Sequence, residues 1–443
     1  MQRKDFDKKM QRRQFLRQTA AGLAAVQTAV WCSDLRAEPK SANEQLQVAA
    51  VGTSHRAAAD IAEVHKAGAK IVALADVDAR YLEQAAKRYQ VKKTYADYRE
   101  MIEKEKDNID AVVVGTPDHH HAPATIRALR AGKHVYCEKP LTHTVFECRL
   151  VTNEAHKRGL VTQMGTQIHA GENYRRVVEI IQSGAIGDIT EVHVWCGKGW
   201  GYKKIPELKP TKPPEYLSWD LWLGPAPERP YVPKVYHPAN WRRWWDFGQG
   251  TLGDMACHYM DLPFWALGLR YPLTVAAEGP PVNPQVCPTG LKVTYEFPAR
   301  GNQPAVKLTW YDGEYTPKVV AGHKVPYAGV MFIGSKGQMF ANYTSYKLYP
   351  EEKFKNYQPP KPTIPRSIGH HKEWVKACLE GKPEDCTCRF DYSGPLAEAV
   401  LLGNVAYRSG CKLQWDAKLL KATNCSKADN FISKPYRKGW EVV

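Results

Sequence analysis

His134-Val135-Tyr136-Cys137-Glu138-Lys139-Pro140 decides the reading of this chain, because a lysine stands between a carboxylate and a proline at the end of a short apolar run. Such a run reads as a buried strand, and in an open α/β sheet ligands bind at the carboxyl edge of the strands. Residues 48–51, 71–77 and 111–116 are three earlier apolar runs of the same kind. Helix-like stretches separate them, so the pattern is a repeated βαβ unit with a parallel sheet.

The first turn of the pattern, Val51-Gly52-Thr53-Ser54-His55-Arg56-Ala57, falls where a dinucleotide fold brings backbone against a pyrophosphate at a helix N-terminus. Only the first of the three usual glycines is present. Ser54 and Ala57 stand at the other two positions, both small enough for close approach. Gly52, Thr53, Ser54, His55 and Arg56 are therefore the expected cofactor contacts. Asp76 ends the second run, where an acidic residue hydrogen-bonds a ribose 2′-hydroxyl. A 2′-phosphate would meet that carboxylate, so NAD is expected over NADP.

Two further runs carry a specific resemblance. Gly115-Thr116-Pro117-Asp118-His119-His120-His121 and Ala128-Leu129-Arg130-Ala131-Gly132-Lys133-His134-Val135-Tyr136-Cys137-Glu138-Lys139-Pro140-Leu141 resemble the glucose-fructose oxidoreductase, inositol dehydrogenase and MocA family over residues 46–170. The resemblance implies that Lys139 lies beside the nicotinamide and the reacting hydroxyl, with Glu138 next to it. It also implies that Thr116, Pro117 and His121 form a cofactor loop. Asp118 replaces the family's usual asparagine, which should change one hydrogen bond there. Gln167 and His169, just after the run at 161–165, are expected to face the site from the cofactor and substrate sides.

Gly253-Asp254-Met255-Ala256-Cys257-His258 places a carboxylate and an imidazole four residues apart, on one face if the segment is helical. The family pairs its lysine with such a motif. His258 is thus expected to take the substrate hydroxyl proton, and Asp254 to contact substrate or orient the imidazole. The residue types suit the chemistry: removing hydride from a carbinol carbon needs a base for the hydroxyl proton and a donor for the developing oxyanion.

His119, His120 and His121 are adjacent and cannot all face one ion, so no metal is expected. The eleven cysteines include no pair with zinc or thioredoxin spacing, and disulfides near the C-terminus are allowed. The N-terminus, with Arg12-Arg13-Gln14-Phe15-Leu16 ahead of an apolar stretch at 19–31 and a small-residue exit near Ala37, reads as a twin-arginine export signal over residues 1–37. No other apolar stretch is long enough to span a bilayer. Of the formal charge of +16, about +11 would remain after processing, and no basic-aromatic motif of a nucleic-acid binder appears.

The expected organisation is α/β: a Rossmann domain over 45–166, an α+β substrate and oligomerisation domain with a large open, mostly antiparallel sheet over 167–365, and helices over 366–443 that pack back on the first domain before a tail. The resemblance implies a dimer or tetramer. Tryptophans crowd residues 199–245, and Trp200, Tyr202 and Lys203 are the expected substrate contacts there.

Export of a folded chain to a compartment without free nucleotide implies a tightly bound NAD that is recycled in place. The expected function is hydride transfer between a sugar or polyol hydroxyl carbon and that cofactor. A redox-neutral glycoside hydrolase or lyase is the alternative. A sugar-binding protein that kept the fold and lost turnover is the second alternative, supported by the altered glycine loop and opposed by Lys139, Asp254 and His258 occurring together.

Overall fold

The computed structural model describes residues 45–443, so the segment read as an export signal lies outside the described residues. Six strands, β1 (Gln47–Val51), β2 (Lys70–Ala75), β3 (Lys93–Tyr95), β4 (Ala111–Val114), β5 (His134–Cys137) and β6 (Thr162–Met164), form one parallel sheet in the order β3-β2-β1-β4-β5-β6. Their connections carry α1 (His55–Lys66), α2 (Ala79–Tyr89), α3 (Tyr98–Glu105), α4 (His121–Arg130) and α5 (Val145–Arg158). The near-continuous apolar sequences QVAAV and AVVV suit strands buried on both faces. The strand order reverses between β1 and β4, and that switch point opens a crevice at their carboxyl ends.

The apolar runs at 71–77 and 111–116 overshoot the strands they contain. Asp76 and Val77, and Gly115 and Thr116, turn away from the ladder and line the crevice. Side-chain size sets how closely these turns approach. Gly52 sits at φ +86°, and a Cβ there would lie 3.1 Å from Gly115 O. A Cβ on Gly115 would lie 2.6 Å from that of Ala57. The alanine that replaces the third glycine is thus matched to a glycine across from it.

After α6 (Glu172–Gln182) the second lobe is built on a nine-stranded sheet. Its strands are β7 (Ile189–Cys196), β8 (Thr274–Glu278), β9 (Lys292–Phe297), β10 (Val306–Asp312), β13 (Ala328–Gly334), β14 (Gly337–Ala341), β15 (Tyr346–Tyr349), β16 (Leu413–Asp416) and β17 (Lys421–Ala422). A separate hairpin of β11 (Val319–Val320) and β12 (His323–Lys324) interrupts this numbering. The order is β15-β14-β13-β7-β10-β9-β8-β16-β17, antiparallel except for β7 beside β10. Between β7 and β8 the chain makes α7 (Trp219–Leu223), α8 (Gly250–Tyr259) and α9 (Asp261–Leu267). The tryptophan-rich part of that excursion has its own core of Leu217, Trp222, Tyr236, Trp241, Trp244 and Phe247.

Following α10 (Glu351–Phe354), the chain returns to the first lobe through α11 (His370–Glu380) and α12 (Phe390–Ser409). Trp374 and Cys378 of α11 join the core of Ile61, Val64 and Tyr136, while His371 Nε2 meets Asp60 Oδ1 at 3.0 Å. After α13 (Asp429–Ile432), residues 433–443 have no regular structure yet are well anchored. Lys434 pairs with Glu147 at 3.0 Å, Arg99 lies over the Trp440 ring at 3.8 Å, and Val442 is fully buried. The stretch expected to be a tail is a strap on its own chain. Cys411 and Cys425 form a disulfide, and the eight other described cysteines are buried thiols.

Candidate active site

The crevice is a cleft of about 360 Å³ lined from both lobes. At its nucleotide end, Thr53 N and Oγ1 both donate to Asp76 Oδ2 at 2.8 Å, and Asp78 N donates to Oδ1 at 2.9 Å. Asp76 therefore shapes the glycine loop as well as facing the cleft, and burial raises its pKa. His55 takes a left-handed conformation at φ 51°, unusual for a side-chain-bearing residue. Arg56 donates to Asp60 and lies 3.4 Å from Glu138 Oε1.

Glu138 is buried at the end of β5, and burial together with the charge of Asp60 lifts its pKa to about 8. Gln167 Nε2 donates to Glu138 Oε1 at 2.6 Å and to the Tyr136 hydroxyl at 2.8 Å. Gly165 makes room for this arrangement, because a Cβ there would lie 2.3 Å from Glu138 Oε1.

Asp254 organises the reactive end. Lys139 Nζ donates to its Oδ1 at 2.8 Å and to its carbonyl at 2.9 Å; Lys198 Nζ donates to Oδ2 at 2.8 Å, the Trp200 indole to Oδ2 at 2.7 Å and Arg242 Nε to Oδ1 at 3.2 Å. Burial alone would raise the carboxyl, but the three cations outweigh it and hold the pKa of Asp254 well below the usual carboxylate range. One turn along α8, the half-buried His258 ring makes no hydrogen bond to a described residue. Burial and the charge of Lys139 push its pKa down to about 3, so it is neutral in ordinary buffers. Asp118 is buried in the same wall and is lifted by burial to about 7, with Arg242 and Lys139 pulling the other way.

Of the residues expected from sequence, the cleft brings together Gly52, Ser54, His55, Arg56, Asp76, Thr116, Pro117, Glu138, Lys139, Trp200 and Asp254. Thr53 and Gln167 lie outside its lining and support Asp76 and Glu138. His121 is a buried clamp whose ring nitrogens meet Pro140 O at 2.6 Å and Thr116 O at 2.9 Å. His258 does not line the cleft, and Asp254 makes no hydrogen bond to its ring although its charge acts on it.

Three expected substrate contacts sit elsewhere. His169 is 1 % exposed, bonded to Asp261 at 2.9 Å and stacked on Trp265 at 4.0 Å. Its strand-end position reads equally well as a core histidine. Tyr202 packs edge-on to Trp244, and the Lys203 side chain is 83 % exposed with Glu314 at 4.0 Å; both follow Trp200 in sequence but diverge from it in space. Lys198, Arg242, Trp241 and His237 line the cleft without having been expected. Lys198 follows a strand end and Arg242 lies in the Trp241–Trp245 run, and no local spacing marks either.

A parallel sheet with its switch-point cleft, where Lys139 of the first lobe meets Asp254 of the second, is the arrangement of an oxidoreductase built on a dinucleotide-binding domain. Residues 46–166 match the family model described as oxidoreductase family, NAD-binding Rossmann fold, and residues 170–442 match its C-terminal alpha/beta domain. The chain belongs to this glucose-fructose oxidoreductase, inositol dehydrogenase and MocA family.

Inositol 2-dehydrogenase of Salmonella typhimurium is 33 % identical over 144 residues, covering 32 % of this chain and 41 % of that protein. Levoglucosan dehydrogenase of Pseudarthrobacter phenanthrenivorans is 27 % identical over 201 residues, 44 % of this chain and 42 % of that one. The chain thus spans about two-fifths of the length of these curated relatives. Among solved structures, the aldose-aldose oxidoreductase from Caulobacter crescentus complexed with glycerol has a TM-score of 0.57 at 17 % identity, covering 84 % of this chain and all of that one. The WlbA dehydrogenase from Bordetella pertussis in complex with NADH and UDP-GlcNAcA has a TM-score of 0.58 at 18 % identity, covering 84 % and 99 %. These two likenesses establish the fold.

Proposed function

We propose that the protein transfers hydride between a hydroxyl-bearing carbon of a sugar or polyol and a nicotinamide held in the cleft. The convergence of Lys139 and Asp254 at the end of a dinucleotide crevice, one helical turn from a neutral His258, carries this reading. The residues fit the cofactor: Gly52 would let backbone approach a pyrophosphate, the N-terminus of α1 and Arg56 would offer donors, and Asp76, which lines the cleft, would accept from a ribose hydroxyl. When bound, the nicotinamide supplies the hydride acceptor or donor.

The chain's own groups do the rest. Lys139 Nζ, held charged by Asp254, hydrogen-bonds the substrate oxygen and stabilises negative charge as it develops. The hydroxyl proton is assigned to the neutral His258 ring, one helical turn from Asp254; because that ring does not line the cleft, it receives the proton through a bridging water in oxidation and returns it by the same route in reduction. Lys198, Arg242 and Trp200 fix Asp254, so a substrate that draws Lys139 toward its own oxygen leaves the carboxylate paired.

The preferred cofactor is NAD, because Asp76 would repel a 2′-phosphate. It is retained between turnovers. Supporting retention, residues 216–218 lie directly on the β2–α2 turn: Ala79 N donates to Tyr216 O at 2.8 Å, Ser218 N to Val77 O at 2.9 Å, and Arg80 lies over the Tyr216 ring at 3.5 Å. His237 adds a contact to Asp78 at 3.4 Å. These contacts let the tryptophan-rich segment cover the nucleotide end.

We place the working protein outside the cytoplasm, exported by the twin-arginine route. The Cys411–Cys425 disulfide supports an oxidising compartment. The test is to purify the processed protein without added nucleotide, denature it and identify what is released by absorbance and mass. Stoichiometric NAD or NADH is expected; NADP, or no nucleotide at all, would overturn the cofactor reading.

A further inference from the structure

Gln249, the residue before α8, faces a second cavity rather than the cleft. Its Nε2 donates to His143 O at 2.6 Å, and Asn404 Nδ2 donates to its Oε1 at 2.8 Å. This cavity, of about 250 Å³, is walled by the segment after β5, the tryptophan-rich segment, the end of α12 and the strap. Exposed Asn430 and Ser433 mark its mouth.

The charges in its wall do not balance locally. The Asp246 carboxylate is paired with Arg229 at 2.6 Å. Lys434 is paired with Glu147 at 3.0 Å and meets His143 Nδ1 at 3.0 Å. Arg408, in the last turn of α12, is the exception: among the described residues it has no ion pair and donates no hydrogen bond. Its guanidinium carbon lies over the Trp245 ring, at 4.8 Å from the centroid, and over the Phe431 ring, at 4.3 Å. Aromatic faces attract the cation but accept none of its five N–H donors in the way an oxygen does. Asp246 is close enough to be felt electrostatically by both Arg408 and Lys434, but it is held by Arg229.

We propose that this cavity is a second ligand site, distinct from the cleft, that takes a small oxyanion through the Arg408 fork with Lys434 beside it. A planar guanidinium that lines the cavity without an ion pair among the described residues matches the two oxygens of a carboxylate or phosphate. The volume admits an anion of a few heavy atoms. Carboxylate and phosphate share this chemistry, and the experiment separates them.

Full-length protein is titrated calorimetrically with inorganic phosphate and, separately, with succinate, at constant ionic strength set by chloride. Saturable one-to-one binding of at least one probe is expected, weakened at least tenfold in Arg408→Gln and unchanged in Arg242→Gln, which removes a cation from the cleft and leaves Asp254 paired with Lys139 and Lys198. The probe that binds tighter identifies the anion class. Because Arg408→Gln also removes packing on Trp245 and Phe431, Ser433→Asp serves as a surface control. It puts a like charge at the mouth without touching the core and is expected to weaken binding as well. No saturable binding of either probe, wild-type affinity in either Arg408→Gln or Ser433→Asp, or a tenfold loss in Arg242→Gln would each overturn the site.

Discussion

Lys139 Nζ reaches across 115 residues of sequence to hold both the side chain and the carbonyl of Asp254, at 2.8 and 2.9 Å. The contact ties the end of β5 in the nucleotide lobe to α8 in the second lobe. It sets the charge state of the whole reactive corner, because Lys139 lowers the pKa of Asp254 and of His258 alike.

Replacing Lys139 by alanine removes the donor to the substrate oxygen. We expect kcat/KM to fall on the order of 10²- to 10³-fold, with bound nucleotide retained. The His258 pKa should rise from about 3 as the neighbouring charge is lost, which NMR titration of the imidazole would report. Unchanged turnover in Lys139→Ala would sink the assigned chemistry.

His258→Gln keeps a polar side chain of similar reach but no base. A loss on the order of 10²- to 10⁴-fold in turnover is expected, while stoichiometric nucleotide still co-purifies. Turnover within a few-fold of wild type would assign the proton to another group.

Asp118 links pH to both stability and activity. Its pKa rises on folding from 3.8 to about 7, so its contribution is fully present below pH 4 and is lost as pH rises through 7. Asp118→Asn should therefore gain on wild type as pH increases, by up to about 4 kcal/mol at pH 8, and very little near pH 4. Denaturant melts at both pH values check the sign. An inflection near pH 7 in kcat/KM should disappear in the same variant.

Arg80→Ala removes the cation over Tyr216 at the nucleotide end. A contact of about 0.5–1 kcal/mol corresponds to a roughly two- to fivefold faster release of NADH, followed by its fluorescence after dilution. Release at the wild-type rate would show that this contact does not hold the cover closed.

The first lobe was legible because its signals are local. Strand, turn, helix and acid follow one another from Val48 to Asp76, and the spacing of Asp254 and His258 fixes their relation on one helix. Of the second lobe, Asp254 and Trp200 were legible, but Lys198 and Arg242 were not, because they reach Asp254 from separate segments, and a lysine after a strand carries no mark of what it faces. Proximity in sequence also misled: Tyr202 and Lys203 follow Trp200, but the backbone turns them toward Trp244 and solvent. His169 fails for another reason, since a buried Asp261 satisfies it.

The strap over the first lobe has a consequence for how the protein is made. Arg99 and Arg127 both donate to Gly439 O, and 340 residues separate Arg99 from that acceptor. At synthesis rates of roughly 5–20 residues per second, the nucleotide lobe emerges from the ribosome on the order of 20 to 70 s before the segment that braces it. During that interval Tyr98 lacks the Trp440 ring that later packs against it at 5.8 Å. Until the C-terminal segment arrives, Arg99 and Arg127 also lack their shared acceptor, so the lobe made first is finished by the residues made last.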